Sequence, residues 1–171
     1  MQDTNDKIAI VALGSNLPFR DASPAHNLRH ALNALSASGV HVILSSHNYS
    51  STAWPDKSDP PYTNAVALVE TSLPPHALME LLHRIEKSLG RVRTHKNAPR
   101  TLDLDLLNYG KIVQSGPPEL PHPRMQDRAF VLVPLAEIAP DWRHPLLHKT
   151  AMEMLAALPP DARADVKRVE E

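Results

Sequence analysis

Two aspartates alternate with leucines in the segment Leu102–Leu106, which reads Leu-Asp-Leu-Asp-Leu. If this segment is a β-strand, the leucines face one side of the sheet and Asp103 and Asp105 face the other. The α-carbons of the two aspartates would then be about 6 to 7 Å apart, so both carboxylates could share a cation such as Mg²⁺. The same alternation is typical of any strand with one face in water, and the pentapeptide alone leaves both interpretations open.

A basic loop precedes this segment and contains Arg91, Arg93, Lys96 and Arg100. Arginines bind non-bridging phosphate oxygens bidentately, and metal ions neutralise the bridging ones, so this combination suits a nucleoside triphosphate. The alternative is a solvated surface loop whose cations pair with Glu86 or with the aspartates, as most charge runs do.

Several common catalytic signatures are absent from the sequence. It contains no GxxxxGK[ST] phosphate-binding loop, no HExxH zinc motif and no GxSxG nucleophile elbow. It has no cysteine, which excludes disulfides, thiolate metal sites and cysteine nucleophiles. The ten histidines are scattered, and only His122, within the Leu-Pro-His-Pro-Arg-Met segment 120–125, is a specific candidate.

The elements that must position these residues are predicted in the order βαββαβ. The predicted strands are Lys7–Leu13, Val40–Tyr49, Tyr62–Thr71 and Thr101–Leu107, and the predicted helices run from Ser23-Pro24 to Gly39 and from Pro74-Pro75 to Gly90. This order predicts an α+β, ferredoxin-like antiparallel sheet with both helices on one face and the other face free. Short additional helices are predicted near Arg128–Ile138 and Lys149–Leu158.

Size and charge limit the class of protein. A chain of 171 residues fits one domain over residues 1–171, with residues 1–6 and 160–171 expected to be flexible or peripheral ends. A formal charge of −1 gives no field that would gather nucleic acid or anionic lipid, and no segment is long enough to span a membrane. We therefore expect a cytoplasmic protein without nucleic-acid or membrane partners, and a monomer is the simplest expectation.

The motifs taken together resemble the 6-hydroxymethyl-7,8-dihydropterin pyrophosphokinase family of folate synthesis. The resemblance covers roughly residues 8 to 140 and centres on the string Pro-Arg-Thr-Leu-Asp-Leu-Asp at 99–105. The supporting segments, in family order, are Ala12–Asn16, Tyr62–Asn64, Ile85-Glu86, Gly90–Arg93 and Pro121–Phe130.

The resemblance implies an ATP-dependent diphosphokinase. In that reaction the hydroxymethyl group of the pterin attacks the β-phosphorus of ATP in line and AMP leaves, without a covalent enzyme intermediate. ATP is the co-substrate, and two Mg²⁺ ions are implied, with Asp103 and Asp105 as ligands. The loops Ser50–Pro61 and Arg91–Pro99 are expected to close over the substrates.

The resemblance also assigns the site residues. The implied catalytic residues are Arg91, Arg93, Arg100, Asp103 and Asp105, and the implied ATP contacts are Glu86, Arg93, Arg100, Leu106, His122 and Arg128. The implied pterin contacts are Ser51, Thr52, Trp54, Tyr62, Asn64 and Phe130, with the ring between Tyr62 and Phe130, Asn64 at its hydrogen-bonding edge, and backbone groups near Ser51 and Thr52 assisting. From the residues alone, core packing is the alternative role for the two aromatic side chains.

The chain departs from the common family pattern at several positions. Asn97-Ala98 stands where a tryptophan usually precedes Gly-Pro-Arg, which changes the contacts available to a closing arginine loop. The other departures are Thr94, Leu17–Arg20, Pro117 and Glu119. A ferredoxin-like module that binds RNA or a small regulatory ligand on its free sheet face is a competing hypothesis, but the sequence lacks the stacking aromatics and the basic sheet face that it predicts. A relative with a changed acceptor fits the same motifs, whereas an inactive paralogue is disfavoured because both aspartates and the arginines are present.

Overall fold

The computed structural model of the chain describes residues 7–170. The strands are β1 (Ile8–Ser15), β2 (His41–Ser45), β3 (Tyr49–Ser51), β4 (Tyr62–Glu70), β5 (Asp103–Tyr109) and β6 (Lys167–Arg168). The helices are α1 (Pro24–Ala37), α2 (Pro75–Ser88), α3 (Ala129–Ile138), α4 (Ala151–Ala157) and α5 (Pro160–Ala164), with a 3₁₀ turn at Met125–Asp127.

All strand pairs in the sheet are antiparallel. β1 lies between β4 and β5, β2 and β3 both pair with β4, and β6 pairs with β3. The prediction of one strand over Val40–Tyr49 is wrong, because the chain leaves the sheet between β2 and β3. There the Ser46 side chain takes the place of a backbone acceptor, because its Oγ accepts a hydrogen bond from the Val66 N–H at 3.0 Å. The backbone N–H of Ser46 donates to the Val66 carbonyl at 2.9 Å.

The main core lies between one face of the sheet and helices α1 and α2. Both helices begin and end as predicted: the Ser23 side chain caps α1, and α2 is followed by Gly90 in the left-handed region, with φ 76°. The helices contribute Leu28, Ala31, Leu35, Leu78, Leu82 and Ile85, and the sheet contributes Val11, Leu13, Leu104 and Leu106. The leucines that alternate with the two aspartates thus face this core.

The second sheet face is only half free, which corrects the prediction of an open face. A second core buries Ile10, Val66 and Leu107 under Val131, Leu132 and Leu135 of α3, with Met154 of α4 beside them. The reason is local: towards one end of β1, β4 and β5 this face carries large apolar residues, and these are stable only when a helix covers them.

The C-terminal segment is paired with the sheet. β6 continues the sheet beyond β3, and the Val169 N–H donates to the Asn48 carbonyl at 2.9 Å. Within the segment 160–171, expected to be flexible or peripheral, Pro160–Ala164 form α5 and Lys167–Arg168 form the edge strand β6. Residues 1–6 and 171 lie outside the described residues. Within residues 7–170, no helix has the length and apolar character needed to cross a bilayer.

Candidate active site

The uncovered half of the second sheet face forms a trough. In the β-ladder, Gly14 of β1 lies between Asn64 of β4 and Asp103 of β5, and Ala12 lies between Val66 and Asp105. The residues of the central strand here, Gly14 and Ala12, are small, so the middle of the trough is low. A Cβ added to Gly14 would be in ordinary van der Waals contact with the Asn64 Oδ1 at 3.6 Å and the Asp103 Cβ at 4.0 Å. Carboxylates line one side of this floor and an amide lines the other.

The two aspartates share a face of β5, as the alternation predicted, and arginines surround them. Asp103 accepts hydrogen bonds from the Arg91 Nη1 at 2.6 Å and the Arg100 Nη1 at 3.1 Å. Asp105 is 4.0 Å from the Arg128 Nη1. Burial, followed by the charge of Asp103, raises the pKa of the Asp105 carboxyl from 3.8 to about 6. A cation between these carboxylates would offset both the burial of the Asp105 charge and its repulsion by Asp103.

Of the three arginines in the loop 91–100, two are held in place by hydrogen bonds to other parts of the protein. The Arg91 side chain is 9% exposed, and its Nη1 also donates to the Leu102 carbonyl at 2.9 Å and lies 3.4 Å from Glu86. Arg100 donates from Nε to the Ala98 carbonyl at 3.1 Å. Arg93 is 68% exposed and reaches Glu86 only at 3.4 Å, so its guanidinium can be redirected towards a ligand at small cost.

Glu86 lies behind the site. It is 3% exposed, its Oε1 accepts the Leu104 N–H at 2.9 Å, and burial raises the pKa of its carboxyl. These contacts fix the beginning of β5 and balance the charges of Arg91 and Arg93. Glu86 does not line the cavity described next, so its role in this structure is to position the arginines and the strand.

A cavity of about 460 Å³ opens over the trough. Its walls include all six residues assigned to the pterin (Ser51, Thr52, Trp54, Tyr62, Asn64, Phe130) together with Arg100, Asp103, Asp105 and Arg128. The volume is in the range of small-molecule sites. A second, open cavity of about 460 Å³ is lined by the arginine loop 91–100, and Asn97 and Arg100 line both cavities, so the two spaces adjoin.

The pterin end of the cavity offers flat surfaces and a polar edge. Phe130 is 37% exposed, with the Arg128 guanidinium 5.6 Å from its ring centroid, and Trp54 is 71% exposed. The Asn64 Nδ2 donates to the Ser51 Oγ at 2.8 Å, which leaves its Oδ1, beside Gly14, as an acceptor for a ring N–H. The exposure of Phe130 favours a ligand-contacting role over core packing for that ring, while Tyr62 is partly buried and lines the same cavity.

Four of the ATP contacts that the resemblance implies are not on the wall of this cavity: Glu86, Arg93, Leu106 and His122. Of these, Arg93 lines the adjoining cavity. Leu106 is 2% exposed and its side chain belongs to the main core, so a ligand could reach only its backbone. His122 accepts the Arg124 N–H on Nδ1 at 3.1 Å, which places the proton of the neutral ring on Nε2. Burial and the charges of Arg128 and Arg124 lower the pKa of His122 to about 4, so at neutral pH it can offer a ligand an N–H but no charge.

Sequence reasoning missed a buried asparagine that joins the two loops. Asn16 is 2% exposed; its Nδ2 donates to the Pro60 carbonyl at 3.0 Å and its Oδ1 accepts the Arg100 N–H at 2.8 Å. Its side chain therefore ties the end of the 52–61 loop to the end of the arginine loop. In the sequence, Asn16 was only the last residue of the segment Ala12–Asn16, and no local pattern assigned a contact to its side chain.

Other cavity residues were also unassigned. Arg124 and Asp127 line the cavity from the segment that contains His122, and Asn97 lines it from the arginine loop. Their positions next to recognised motif residues were the signal that could have identified them.

The donor set fits magnesium. Among residues 7–170 there is no cluster of three or more His, Asp or Glu side chains that could hold a metal by itself. Asp103 and Asp105 supply two carboxylates, and Mg²⁺ is commonly bound by one or two carboxylates together with waters and substrate phosphates.

Carboxylates and arginines suit a polyphosphate with its metal ions, and the aromatic side chains beside them suit a flat heterocycle, so the geometry is compatible with an enzyme that transfers phosphate groups to such a ring compound. A family model for 7,8-dihydro-6-hydroxymethylpterin-pyrophosphokinase matches residues 10–140. The chain belongs to this family.

Curated relatives agree with this assignment. The chain is 45% identical over 135 residues to the 2-amino-4-hydroxy-6-hydroxymethyldihydropteridine pyrophosphokinase of Haemophilus influenzae, covering 78% of this chain and 82% of the relative. It is 39% identical over 163 residues to the protein of the same name from Methylorubrum extorquens, covering 95% and 98%.

Solved structures show the same fold. A crystal structure of a Plasmodium falciparum HPPK-DHPS triple mutant matches all of this chain with a TM-score of 0.73 at 12% identity. At that identity the likeness concerns the fold alone. The chain spans 48% of the length of that solved chain.

Proposed function

We propose that this protein transfers the diphosphate of ATP to the hydroxymethyl group of 6-hydroxymethyl-7,8-dihydropterin, releasing AMP, in folate biosynthesis. The observation that carries the proposal is one cavity bounded by the paired aspartates, by arginines and by all six pterin candidates. Family membership and the names of the relatives support the reaction.

The pterin would bind at the aromatic end of the cavity. Its flat ring suits the space beside Tyr62 and Phe130, and the Asn64 Oδ1 can accept a ring N–H. The Thr52 N–H already donates to Asp165 at 3.0 Å, so the backbone contribution expected near Ser51 and Thr52 would come from groups other than this N–H. With the ring at this end, the hydroxymethyl group would lie towards the carboxylates, which line the same cavity.

The triphosphate would lie between the aspartate pair and the arginine loop. Asp103 and Asp105 would hold two Mg²⁺ ions, which when bound neutralise the phosphate oxygens and align the attacking and leaving oxygens. Arg100 and Arg128 border the same space, and Arg93 can move in from its exposed position. The new bond joins the pterin oxygen to the β-phosphorus, the bond between that phosphorus and the α-phosphate oxygen breaks, and the hydroxyl proton is lost.

Loop closure would complete the site. The loops 52–61 and 91–99 border the two adjoining cavities, and their ends meet at Asn16. Closure over bound substrates would exclude water and bring Arg93 towards the phosphates.

The finer fold assignment is also a proposal. If β2 and β3 count as one interrupted strand, the order β5-β1-β4-(β2, β3) corresponds to the ferredoxin-like arrangement, with α3 to α5 as C-terminal additions. A single domain, a monomeric state and a cytoplasmic location remain predictions.

The test is a mass-resolved assay with ATP, Mg²⁺ and 6-hydroxymethyl-7,8-dihydropterin that measures AMP and pterin diphosphate together. Equal amounts of both products, lost on addition of EDTA, are expected. Asp105→Ala should fold and lose nearly all transfer, while Asp141→Ala, an exposed aspartate outside the cavity, is the matched control. Normal turnover by Asp105→Ala at saturating Mg²⁺ would refute the metal assignment, and binding of both ligands without product would indicate a different acceptor.

A further inference from the structure

The C-terminal segment is attached to the strand end that borders the pterin cavity. Asp165, just after α5, accepts the Thr52 N–H on Oδ2 at 3.0 Å and the Thr52 hydroxyl on Oδ1. Thr52 and Asp165 are 113 positions apart in the chain. Thr52 is itself on the cavity wall and is the first residue after β3.

The residues that follow Asp165 make two further contacts with β3 and with the residue just before it. β6 pairs with β3, with Lys167 opposite Ser50 and Arg168 opposite Tyr49, and Val169 donates to the Asn48 carbonyl. β3 is only three residues long, and its other neighbour is β4. Without β6, the strand that presents Ser51 and Thr52 would be a very short edge strand, which is marginal on its own.

We propose that Asp165 is a positioning residue for pterin binding: it fixes the conformation from which the 52–61 loop departs. This inference rests on the pterin site proposed above. The matched family segment covers residues 10–140, so Thr52 lies within it and Asp165 lies outside it.

The physical argument concerns pre-organisation. Ser51 receives the Asn64 amide, so the alignment of that amide depends on the backbone of Ser51 and Thr52. A carboxylate that accepts two hydrogen bonds from one residue leaves its backbone little rotational freedom. When the anchor is lost, only a fraction of molecules hold the binding-competent arrangement, and apparent pterin affinity falls by that fraction.

The experiment compares Asp165→Ala, Asp165→Asn and the control Asp161→Ala, which removes an exposed aspartate from α5. The KM for 6-hydroxymethyl-7,8-dihydropterin should rise about threefold to tenfold in Asp165→Ala, since one to two hydrogen bonds are lost, while the KM for ATP stays within about twofold. Asp165→Asn should recover most of the affinity, because its amide can accept from the Thr52 N–H and donate to the hydroxyl.

A readout independent of pterin is hydrogen exchange of the Thr52 amide, which donates to Asp165. Exchange of this amide should be faster in Asp165→Ala and unchanged in Asp161→Ala. An unchanged pterin KM, or equal rises in both KM values together with a lowered Tm, would overturn the proposal. If the unaltered protein does not bind pterin, the proposed function fails, whereas the hydrogen-exchange comparison still tests the anchor.

Discussion

The aspartate pair should make the ligand-free protein less stable at neutral pH, and Asp105→Asn should reverse this. Burial and the neighbouring Asp103 raise the pKa of the Asp105 carboxyl from 3.8 to about 6. The folded protein therefore binds this proton more tightly than the unfolded chain does. The stability that protonation contributes is therefore fully present below pH 3.8 and is lost as the pH rises through about 6.

The size of the effect follows from the pKa. A change from 3.8 to about 6 corresponds to about 3 kcal/mol at pH 7, because each tenfold change in proton affinity is worth about 1.4 kcal/mol. The Asp105 side chain is 34% exposed, so water screens part of this cost, and we expect Asp105→Asn to stabilise the protein by about 1 to 2 kcal/mol. For a chain of this length that is a rise in Tm of about 3 to 6 °C.

The assay is urea unfolding of both proteins at pH 7 and pH 4 without metal, with Asp141→Asn as the exposed control. The difference in free energy of unfolding between the unaltered protein and Asp105→Asn should nearly vanish at pH 4. Adding Mg²⁺ and ATP at pH 7 should stabilise the unaltered protein more than the variant, since only the unaltered protein binds the ion through both carboxylates. Destabilisation by Asp105→Asn at pH 7, or an equal gain at both pH values, would refute the reasoning.

Three further predictions concern Tyr62, two glycines with positive φ, and His122. Tyr62→Ala should weaken pterin binding about tenfold or more in calorimetry while ATP binding changes little, because a stacking surface is lost; equal losses for both ligands would contradict the slot. Gly90→Ala should cost at least about 2 kcal/mol in urea unfolding, since its φ is 76° and a Cβ would lie 2.6 Å from the Phe19 Cδ2. Gly39→Ala, where φ is 82° but no atom lies within 4 Å of the added Cβ, should cost only about 1 kcal/mol. Equal costs for the two glycine variants would show that the Phe19 ring moves aside for the Cβ at position 90. Burial depresses the pKa of His122 from 6.5 to about 4, so stability should fall as the pH drops from 6.5 to 4, and His122→Gln should flatten that part of the profile.

Local patterns predicted most of the elements. Ser23 and Gly90 bound the two helices, and the alternation at 102–106 put Asp103 and Asp105 on the face opposite the core. These signals work because each depends on the backbone of a few consecutive residues.

The sequence could not predict contacts between distant polar groups. The bonds of Asn16 to Pro60 and Arg100 and those of Thr52 to Asp165 join residues 44, 84 and 113 positions apart, and no periodicity marks them. The covering of half the second sheet face was missed for a related reason, because the apolar residues concerned lie on three separate strands.

The floor of the cavity and the second core are two ends of the same three strands. Ile10, Val66 and Leu107 are buried under α3, and Gly14, Asn64 and Asp103 lie further along the same backbones. In hydrogen exchange, amides of the floor should therefore open only with global unfolding, whereas those of the two loops exchange through local fluctuations. Substrates would meet a rigid base and mobile walls, and a cavity-forming substitution under α3 would disturb the placement of the aspartates without touching them.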